Sequence, residues 1–342
     1  MPLTTPVVLD APLDMHLHLR DGEMLENIAS GSAETFSGAI IMPNLVPPVS
    51  SKEGVIAYKE RIMKAIGNEH FRPYMTLFFK PSYDKAFLES VRDEIMAIKL
   101  YPAGITTNSE GGVSGFDVEE LRPALSAMSD LNIPLCVHGE TNGFVMDREA
   151  EFVSIYEKLA SAFPKLKIIM EHITTKESVA ALEKHENLYA TITIHHLLIT
   201  LDDVAGGMLQ PHLFCKPIAK RPEDRKALLK VALGAHPKVM FGSDSAPHPK
   251  HAKEACGCAA GVFTSPIALQ LLTELFDNND ASLENLQAFI SGNARKIYAV
   301  TPLAKKVTLE KKSFKVPAQY NGVVSMYAGE EIAYTIKDVK NG

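Results

Sequence analysis

The sequence contains no tryptophan, only four cysteines, and no apolar run long enough to cross a membrane. A chain of 342 residues can form a core without disulfide bonds, so we expect Cys136, Cys215, Cys256 and Cys258 to be reduced thiols. The first residues also lack the basic start and apolar stretch of an export signal. These absences argue against a membrane protein or a disulfide-rich secreted protein, and they predict a cytoplasmic one.

Positive charge is not in excess either. The chain carries 35 Lys and Arg residues against 41 Asp and Glu residues, and its isoelectric point is near 6.1. A nucleic-acid-binding protein normally presents a basic face, so we expect neither nucleic acid nor a membrane as a partner. Hydrophobic residues make up 46% of the chain and charged residues 22%, which excludes a disordered or fibrous protein. We expect one folded domain over residues 1–342.

Eight short apolar runs alternate with longer segments of helical periodicity. Continuous apolar runs of this length suit parallel strands that are buried on both faces. Their repetition predicts an α/β fold, a (β/α)₈ TIM barrel; a doubly wound open sheet is the alternative, but no G-x-G-x-x-G motif follows the first run. The apolar runs are residues 12–19, 39–42, 73–79, 95–100, 134–137, 167–170, 188–194 and 238–241, and the clearest helical segments are 54–66, 117–131, 144–163, 175–184 and 221–234.

Two connections are longer than a barrel requires, residues 101–115 and residues 195–220. Long connections without structure of their own are commonly functional lids, and we interpret 101–115 as a lid because it is rich in Gly, Thr, Asn and Ser. Thr174 and Glu177 have the spacing of a capping box at the start of a helix. After residue 300 the pattern becomes β-like, and we expect this tail, residues 301–342, to pack on the barrel.

Polar residues that can bind a metal lie at the ends of the apolar runs or directly after them. In a barrel the C-terminal ends of the strands carry the chemistry. A single histidine at such a place is more often a hydrogen-bonded core residue, but the joint pattern is informative. His16 and His18 alternate with Leu17 on one strand and therefore share a face, so both can bind one ion, and imidazole with carboxylate suits zinc. The candidate set is His16, His18, Lys99, His138, His172 and Asp244.

Lys99 is unusual because it shares a strand face with Ala97 inside the predicted barrel. Burying a lysine cation is costly, so the side chain either reaches solvent, pairs with an acid, or is chemically modified. A desolvated lysine loses its proton more readily. Its free amine can then add carbon dioxide, and the resulting carbamate (N6-carboxylysine) is an anion that can bridge two metals.

Two further groups could be mistaken for metal sites. His248, His251, Cys256 and Cys258 could form a structural zinc site, but the Cys-x-Cys spacing is tight for tetrahedral coordination, and we do not favour it. The adjacent His195 and His196 we interpret as core residues or as residues that support the ligands.

Taken together, these motifs resemble the shorter, bacterial-type dihydroorotases of the amidohydrolase superfamily, in order and almost to residue 300. The resemblance is carried by six segments: Met15-His16-Leu17-His18-Leu19-Arg20-Asp21, Met42-Pro43-Asn44, Ile98-Lys99-Leu100-Tyr101-Pro102-Ala103, Val137-His138-Gly139-Glu140, Glu171-His172-Ile173-Thr174 and Asp244-Ser245-Ala246-Pro247-His248. It implies a cytoplasmic, homodimeric enzyme with two divalent metal ions, most simply Zn²⁺. The implied reaction is reversible cyclisation of N-carbamoyl-L-aspartate to (S)-dihydroorotate and water in de novo pyrimidine biosynthesis.

The resemblance also implies a role for each metal ligand. His16, His18 and Asp244 would bind the more buried metal, and His138 and His172 the second. Carboxylated Lys99 would bridge the two together with a hydroxide. Asp244 would act as the general acid and base.

The substrate contacts implied by the family lie on the other residues of these segments. Arg20, Asn44 and His248 would hold the substrate carboxylate, although a salt bridge at the rim is the commoner fate of an arginine. His18 and His138 would also contact the substrate, and the backbone of Lys216 and Ala259 would touch its ring. Thr106 and Thr107 would lie on the lid. Lys216 departs from the apolar residue of some members, and the loop near Ala255 is one residue shorter.

Two rival interpretations remain open at this stage. Another ring amidase, such as a hydantoinase or allantoinase, usually carries a longer N-terminal segment that completes a β-sandwich with the tail. Few residues precede the first barrel strand here, so we expect no such sandwich. A catalytically silent homologue would be marked by lost metal ligands, and all six positions are present.

Overall fold

The computed structural model describes residues 3–67 and 70–342, so the predicted domain includes residues 1, 2, 68 and 69 that lie outside this description. The strands fall into an eight-stranded sheet and a three-stranded sheet. They are β1 (Val7–Asp10), β2 (Leu13–Leu17), β3 (Gly38–Ile41), β4 (Arg72–Phe78), β5 (Ala97–Leu100), β6 (Leu135–Val137), β7 (Ile168–Met170), β8 (Leu188–Ile192), β9 (Val239–Phe241), β10 (Lys305–Lys315) and β11 (Glu331–Asn341).

The helices mostly follow the barrel strands, as a (β/α)₈ pattern requires. They are α1 (Gly22–Thr35), α2 (Lys52–Ile66), α3 (Lys85–Val91), α4 (Val118–Asp130), α5 (Arg148–Ala162), α6 (Lys176–Lys184), α7 (Ile194–Leu198), α8 (Leu201–Ala205), α9 (Pro222–Leu233), α10 (Lys250–Lys253), α11 (Ala268–Asn278), α12 (Leu283–Gln287) and α13 (Asn293–Tyr298). Side chains at their starts satisfy free backbone N–H groups: Ser51 caps α2, Asp84 caps α3 and Asp117 caps α4. None of the helices in the described ranges is both long and apolar enough to span a bilayer.

The barrel prediction is confirmed and the open-sheet alternative is excluded. Strands β2 to β9 are parallel and lie in sequence order, without the reversal of order that defines a doubly wound sheet. The two ends of the sheet meet where the Asp244 N–H donates to the His16 carbonyl at 2.8 Å. The His18 N–H likewise donates to the Ser245 carbonyl at 3.2 Å. The last strand therefore joins the first at the level of the candidate metal ligands.

A separate apolar cluster fills the interior of the barrel. Its members include Met15, Ala97, Cys136, Ile169 and Met240, which come from alternate positions of the strands. Their strand neighbours belong to the larger cluster between strands and helices. Because the interior is packed, chemistry is confined to the strand ends.

The small sheet joins a strand before the barrel to the tail. β1 pairs antiparallel with β10, and β10 with β11, so a strand before the barrel does pair with the tail. The strand is hard to recognise because it has only four residues, of which Val7 and Leu9 are buried. The described residues give one three-stranded sheet, not a two-sheet sandwich. The tail contacts the barrel layer through the Lys305 ammonium, which donates to the Ala33 carbonyl at 2.6 Å.

Two local predictions are wrong. Thr175, not Thr174, caps α6, and its hydroxyl accepts from the Ser178 N–H. The hydroxyls of both threonines donate to the buried carboxylate of Glu149, and that of Thr175 also accepts from the first turn of α6. The connection 195–220 is not without structure, since it contains α7, α8 and a short 3₁₀ turn at Pro211–Leu213.

Candidate metal centre and active site

His16, His18 and Asp244 meet where β2 and β9 end. The His18 Nε2 lies 3.1 Å from Asp244 Oδ1, and the His16 Nε2 lies 3.5 Å from the same oxygen. All three side chains are buried, and one ligand atom of each lies within 4.8 Å of the others. Burial lowers the pKa of His16 to about 4, so its imidazole is neutral and can offer a lone pair to a metal.

His138 and His172 form a second pair of ligand atoms beyond the ends of β6 and β7. His138 Nδ1 lies 3.1 Å from His172 Nε2, and both rings are buried. Burial, aided by the neighbouring His138, holds the pKa of His172 well below its usual range. Ring nitrogens that face the same point are suited to bind a metal ion.

Lys99 lies in the same site, fully buried at the end of β5. Its Nζ has no hydrogen-bond partner among the described residues and lies 5.1 Å from the centre of the Tyr101 ring. Burial lowers the pKa of Lys99, although the carboxylates of Glu171 and Asp244 oppose the effect. An unpartnered amine in this position fits the proposed carbamate, because the added carboxylate supplies the oxygen ligands that the histidines lack.

Buried carboxylates orient two of the histidines. The Glu171 carboxylate is 2.8 Å from His16 Nδ1, and the Glu140 carboxylate is 2.7 Å from His138 Nε2. Each ring thus uses one nitrogen for a carboxylate and directs the other into the site, an arrangement that fixes the tautomer of a ligand histidine. Burial alone would raise the pKa of Glu171, but the positive charge that His16 and Lys99 carry when protonated, together with hydrogen bonds from His16 and Thr191, lowers it to about 2.

Asp14 is a further functional candidate that the sequence reasoning missed. Its carboxylate accepts hydrogen bonds from the Ser243 N–H at 2.7 Å, the Ser243 hydroxyl at 2.5 Å and the His16 N–H at 3.1 Å. It therefore fastens β2 to the residue before Asp244. Glu140 and Glu171 stood beside ligand histidines in the sequence, which was the available signal; Asp14 offered only its position two residues before His16.

The opposite side of the site carries Arg20. Its Nε donates to the Pro247 carbonyl at 3.1 Å, and its guanidinium lies 3.1 Å from His248 Nε2. No carboxylate in the described ranges forms an ion pair with Arg20, which argues against the rim salt bridge. Backbone φ is +57° at Arg20 and +42° at Asp244, a strained value for residues other than glycine and one that often accompanies function.

One cavity joins these two sides. It is lined by His16, His18, Arg20, Asn44, Tyr101, Thr106, Thr107, His138, His172, Lys216, Asp244, Ala246, Ala260 and Gly261. Ala259 is not in this wall: its N–H donates to the Ala252 carbonyl at 3.0 Å and its carbonyl accepts from Lys253 at 2.8 Å. His248 lies behind the wall, against Arg20 and the Ala260 carbonyl.

The comparisons with known proteins agree with this geometry. An amidohydrolase family model matches residues 72–300. A dihydroorotase from Helicobacter acinonychis is 43% identical over 339 residues, which cover 97% of this chain and 99% of that protein. The crystal structure of a Campylobacter jejuni dihydroorotase has a TM-score of 0.93 and 59% identity and covers 98% of both chains. The chain belongs to the dihydroorotase family of amidohydrolases.

A more distant relative supports the same placement. The Saccharomyces cerevisiae dihydroorotase, solved in complex with 5-fluoroorotic acid, is 33% identical with a TM-score of 0.89, and the match covers 97% of this chain and 98% of that one. Membership in the dihydroorotase family confirms the fold and the resemblance, and it displaces the hydantoinase rival. It also implies divalent metal binding, which the donor set described above fits.

The two further groups that could be mistaken for metal sites differ in the structure. Within the described ranges, His248, His251, Cys256 and Cys258 do not gather into a metal-binding group, and Cys256 is exposed. His195 and His196, in contrast, lie with Cys215 in a buried group whose ligand atoms are within 4.8 Å of one another. His196 Nδ1 lies 2.9 Å from the Thr193 hydroxyl and its Nε2 3.1 Å from the Pro217 carbonyl, which supports a core role.

Proposed function

We propose that this dihydroorotase catalyses the reversible cyclisation of N-carbamoyl-L-aspartate to (S)-dihydroorotate and water at the described cavity. The observation that carries the proposal is the meeting of two histidine-containing ligand sets, one unpartnered buried lysine and one partly buried arginine around a single cavity. A metal site beside a carboxylate-binding cation matches the two ends of this substrate, a cyclic amide and a carboxylate.

The donor set suggests how two divalent ions would be held. His16, His18 and Asp244 would bind one, His138 and His172 the other, and the carbamate on Lys99 would span them. Imidazole with carboxylate favours zinc. Such ions supply Lewis acidity toward the amide carbonyl and lower the pKa of water.

Asp244 is the proposed proton carrier. In ring opening it accepts a proton from the attacking water and delivers it to the amide nitrogen; in ring closure it runs the reverse path. Burial raises the pKa of Asp244, while the nearby His16 and Lys99 charges oppose the rise. A raised pKa brings the carboxyl closer to the pH at which it can both accept and return a proton.

The remaining lining residues would bind and enclose the substrate. Arg20 and Asn44, with His248 behind them, would hold its carboxylate, and His18 and His138 would lie against its reacting end. The ring would rest near the backbone of Lys216 and of the segment at Ala259, where Ala260 and Gly261 form the wall. Thr106 and Thr107 would cover it from the lid.

The cellular location, the domain organisation and the oligomeric state are proposed on simpler grounds. Cysteines without disulfide bonds suit the cytoplasm, where thiols stay reduced. The contact between Lys305 and α1 supports a single domain over residues 1–342, with the tail 301–342 packed on the barrel. The homodimer rests on the family alone, and light scattering of the purified protein would test it.

A comparison of the turnover of different substrates tests the proposed reaction. The purified protein should hydrolyse dihydroorotate and close N-carbamoyl-L-aspartate, and it should act far more slowly on hydantoin or dihydrouracil, which lack the carboxylate. Turnover of the uncharged rings at a rate equal to that of dihydroorotate would contradict the proposal.

A further inference from the structure

Lys216 makes a contact across the mouth of the cavity that its expected backbone role does not explain. It lies between the 3₁₀ turn at Pro211–Leu213 and α9, in the connection that follows β8. Its ammonium donates to the carbonyl of Ile105, which belongs to the lid after β5, at 2.8 Å. The side chain therefore joins two loops that approach the cavity from different strands.

The lid has few other attachments of this kind. The Asn44 amide donates to the Thr107 carbonyl at 3.0 Å, and the Asn108 amide donates back to the Asn44 carbonyl at 3.0 Å. Lys80 donates to the Gly111 carbonyl at 3.1 Å, but this bond is exposed and Lys80 does not line the cavity. Among the described cavity-lining side chains that bond to lid carbonyls, Lys216 alone is charged, and hydrogen bonds to charged groups are the stronger kind.

The bond holds the part of the lid that faces the cavity. Ile105 directly precedes Thr106 and Thr107, which line the cavity together with Lys216. The bond from the Lys216 ammonium to the Ile105 carbonyl therefore fixes the position of the two threonines at the cavity.

We propose that the Lys216 side chain is a positioning residue that latches the lid over the bound substrate. This inference rests on the proposed function, because it assigns the closed lid to the substrate complex. Where a ligand binds a closed state, the apparent affinity falls in proportion to the population of that state. Loss of the latch should thus weaken substrate binding more than it slows the chemical step.

Steady-state kinetics of Lys216→Met provide the first test. We expect KM for dihydroorotate to rise about tenfold while kcat stays roughly unchanged. Lys216→Arg keeps a charged donor and should restore most of the loss. Lys80→Met is the matched control, since it removes the other lysine bond to a lid carbonyl, and it should leave KM close to that of the unaltered protein.

A second readout follows the lid itself. Because the chain has no tryptophan, Glu110→Trp places a unique fluorophore on an exposed position of the lid. Its time-resolved anisotropy should fall when Lys216→Met is added and should not fall when Lys80→Met is added. This measurement needs no turnover, so failure of the latch and failure of the proposed reaction can be told apart.

Two results would overturn the latch. One is a Lys216→Met protein with unaltered KM and unaltered lid anisotropy. The other is a rise in KM that vanishes at high ionic strength with unaltered anisotropy, which would mean that Lys216 only attracts the anionic substrate. Absence of dihydroorotate turnover in the unaltered protein would instead contradict the proposed function.

Discussion

The two sides of the cavity are built differently. On the metal side, ligands sit at the ends of packed strands, and buried carboxylates hold them: Glu171 on His16, Glu140 on His138, and Asp14 across the junction of β2 and β9. On the lid side, single hydrogen bonds from partly exposed loops, such as that of Lys216, hold the lid carbonyls. The difference indicates that the reacting groups are pre-organised while access to them is adjustable.

The strongest test of the metal side removes its central residue. Lys99→Ala deletes the proposed bridge, so the protein should lose bound metal, and its turnover should fall on the order of 10³-fold because metals contribute several kcal/mol to such transition states. Metal analysis and kinetics should be made on the same sample. Small carboxylic acids should restore part of both. A crystal structure with an unmodified Lys99 amine in fully active, metal-loaded protein would contradict the carbamate.

Substitution of Arg20 tests binding of the substrate carboxylate separately from binding of the metal ions. Arg20→Met should cost about 2–5 kcal/mol in dihydroorotate turnover, the usual loss when one partner of a desolvated charge pair is removed. Metal content should stay unchanged, and the weak turnover of dihydrouracil should hardly alter because this ring has no carboxylate. If turnover of dihydroorotate and of dihydrouracil falls equally, Arg20 has only a structural role.

Asp14 tests whether the metal side depends on its supporting hydrogen bonds. Asp14→Asn replaces one acceptor oxygen by a donor opposite Ser243, so the junction of β2 and β9 should loosen. Metal affinity should fall about 10–100-fold, as is usual for residues that support ligands. Competition with a chelator measures the affinity. Ser243→Ala removes one of the hydrogen bonds and should show a smaller loss of metal affinity in the same assay. Unchanged metal affinity in both variants would contradict a supporting role of Asp14 at the metal ligands.

The smallest expected effect lies on the lid. A protein with both Thr106→Ala and Thr107→Ala should lose catalysis by roughly tenfold, a typical loss for one or two hydrogen bonds, while its metal content stays intact. Kinetics and metal analysis would check this. Unchanged kinetics would show that these hydroxyls do not touch the substrate, and the contrast between the two sides would then rest on Lys216.

Much of the barrel and the ligand set could be read from the sequence. A buried parallel strand is a continuous apolar run, and in a barrel the residue after such a run points into the mouth. Lys99 lies near the end of such a run, His138 and His172 come just after one, and their order along the chain becomes their order around the barrel.

What could not be predicted depends on contacts between distant segments. β1 has four residues and is defined by its pairing with β10, nearly the whole chain away. Thr174 and Thr175 are equally good caps by sequence, and both donate to the buried Glu149 carboxylate, so the choice of Thr175 depends on where the α6 backbone begins. The bond from Lys216 to Ile105 joins loops separated by 111 positions, and no local pattern reports it.

The central claim is that turnover of dihydroorotate depends on two divalent ions held at the strand ends. The most direct measurement is to strip the purified protein with a chelator, return Zn²⁺ in steps, and follow the hydrolysis of dihydroorotate against bound metal. We predict no activity in the stripped protein and full activity only as the second ion per chain is bound. Full hydrolysis by metal-free protein would contradict the account.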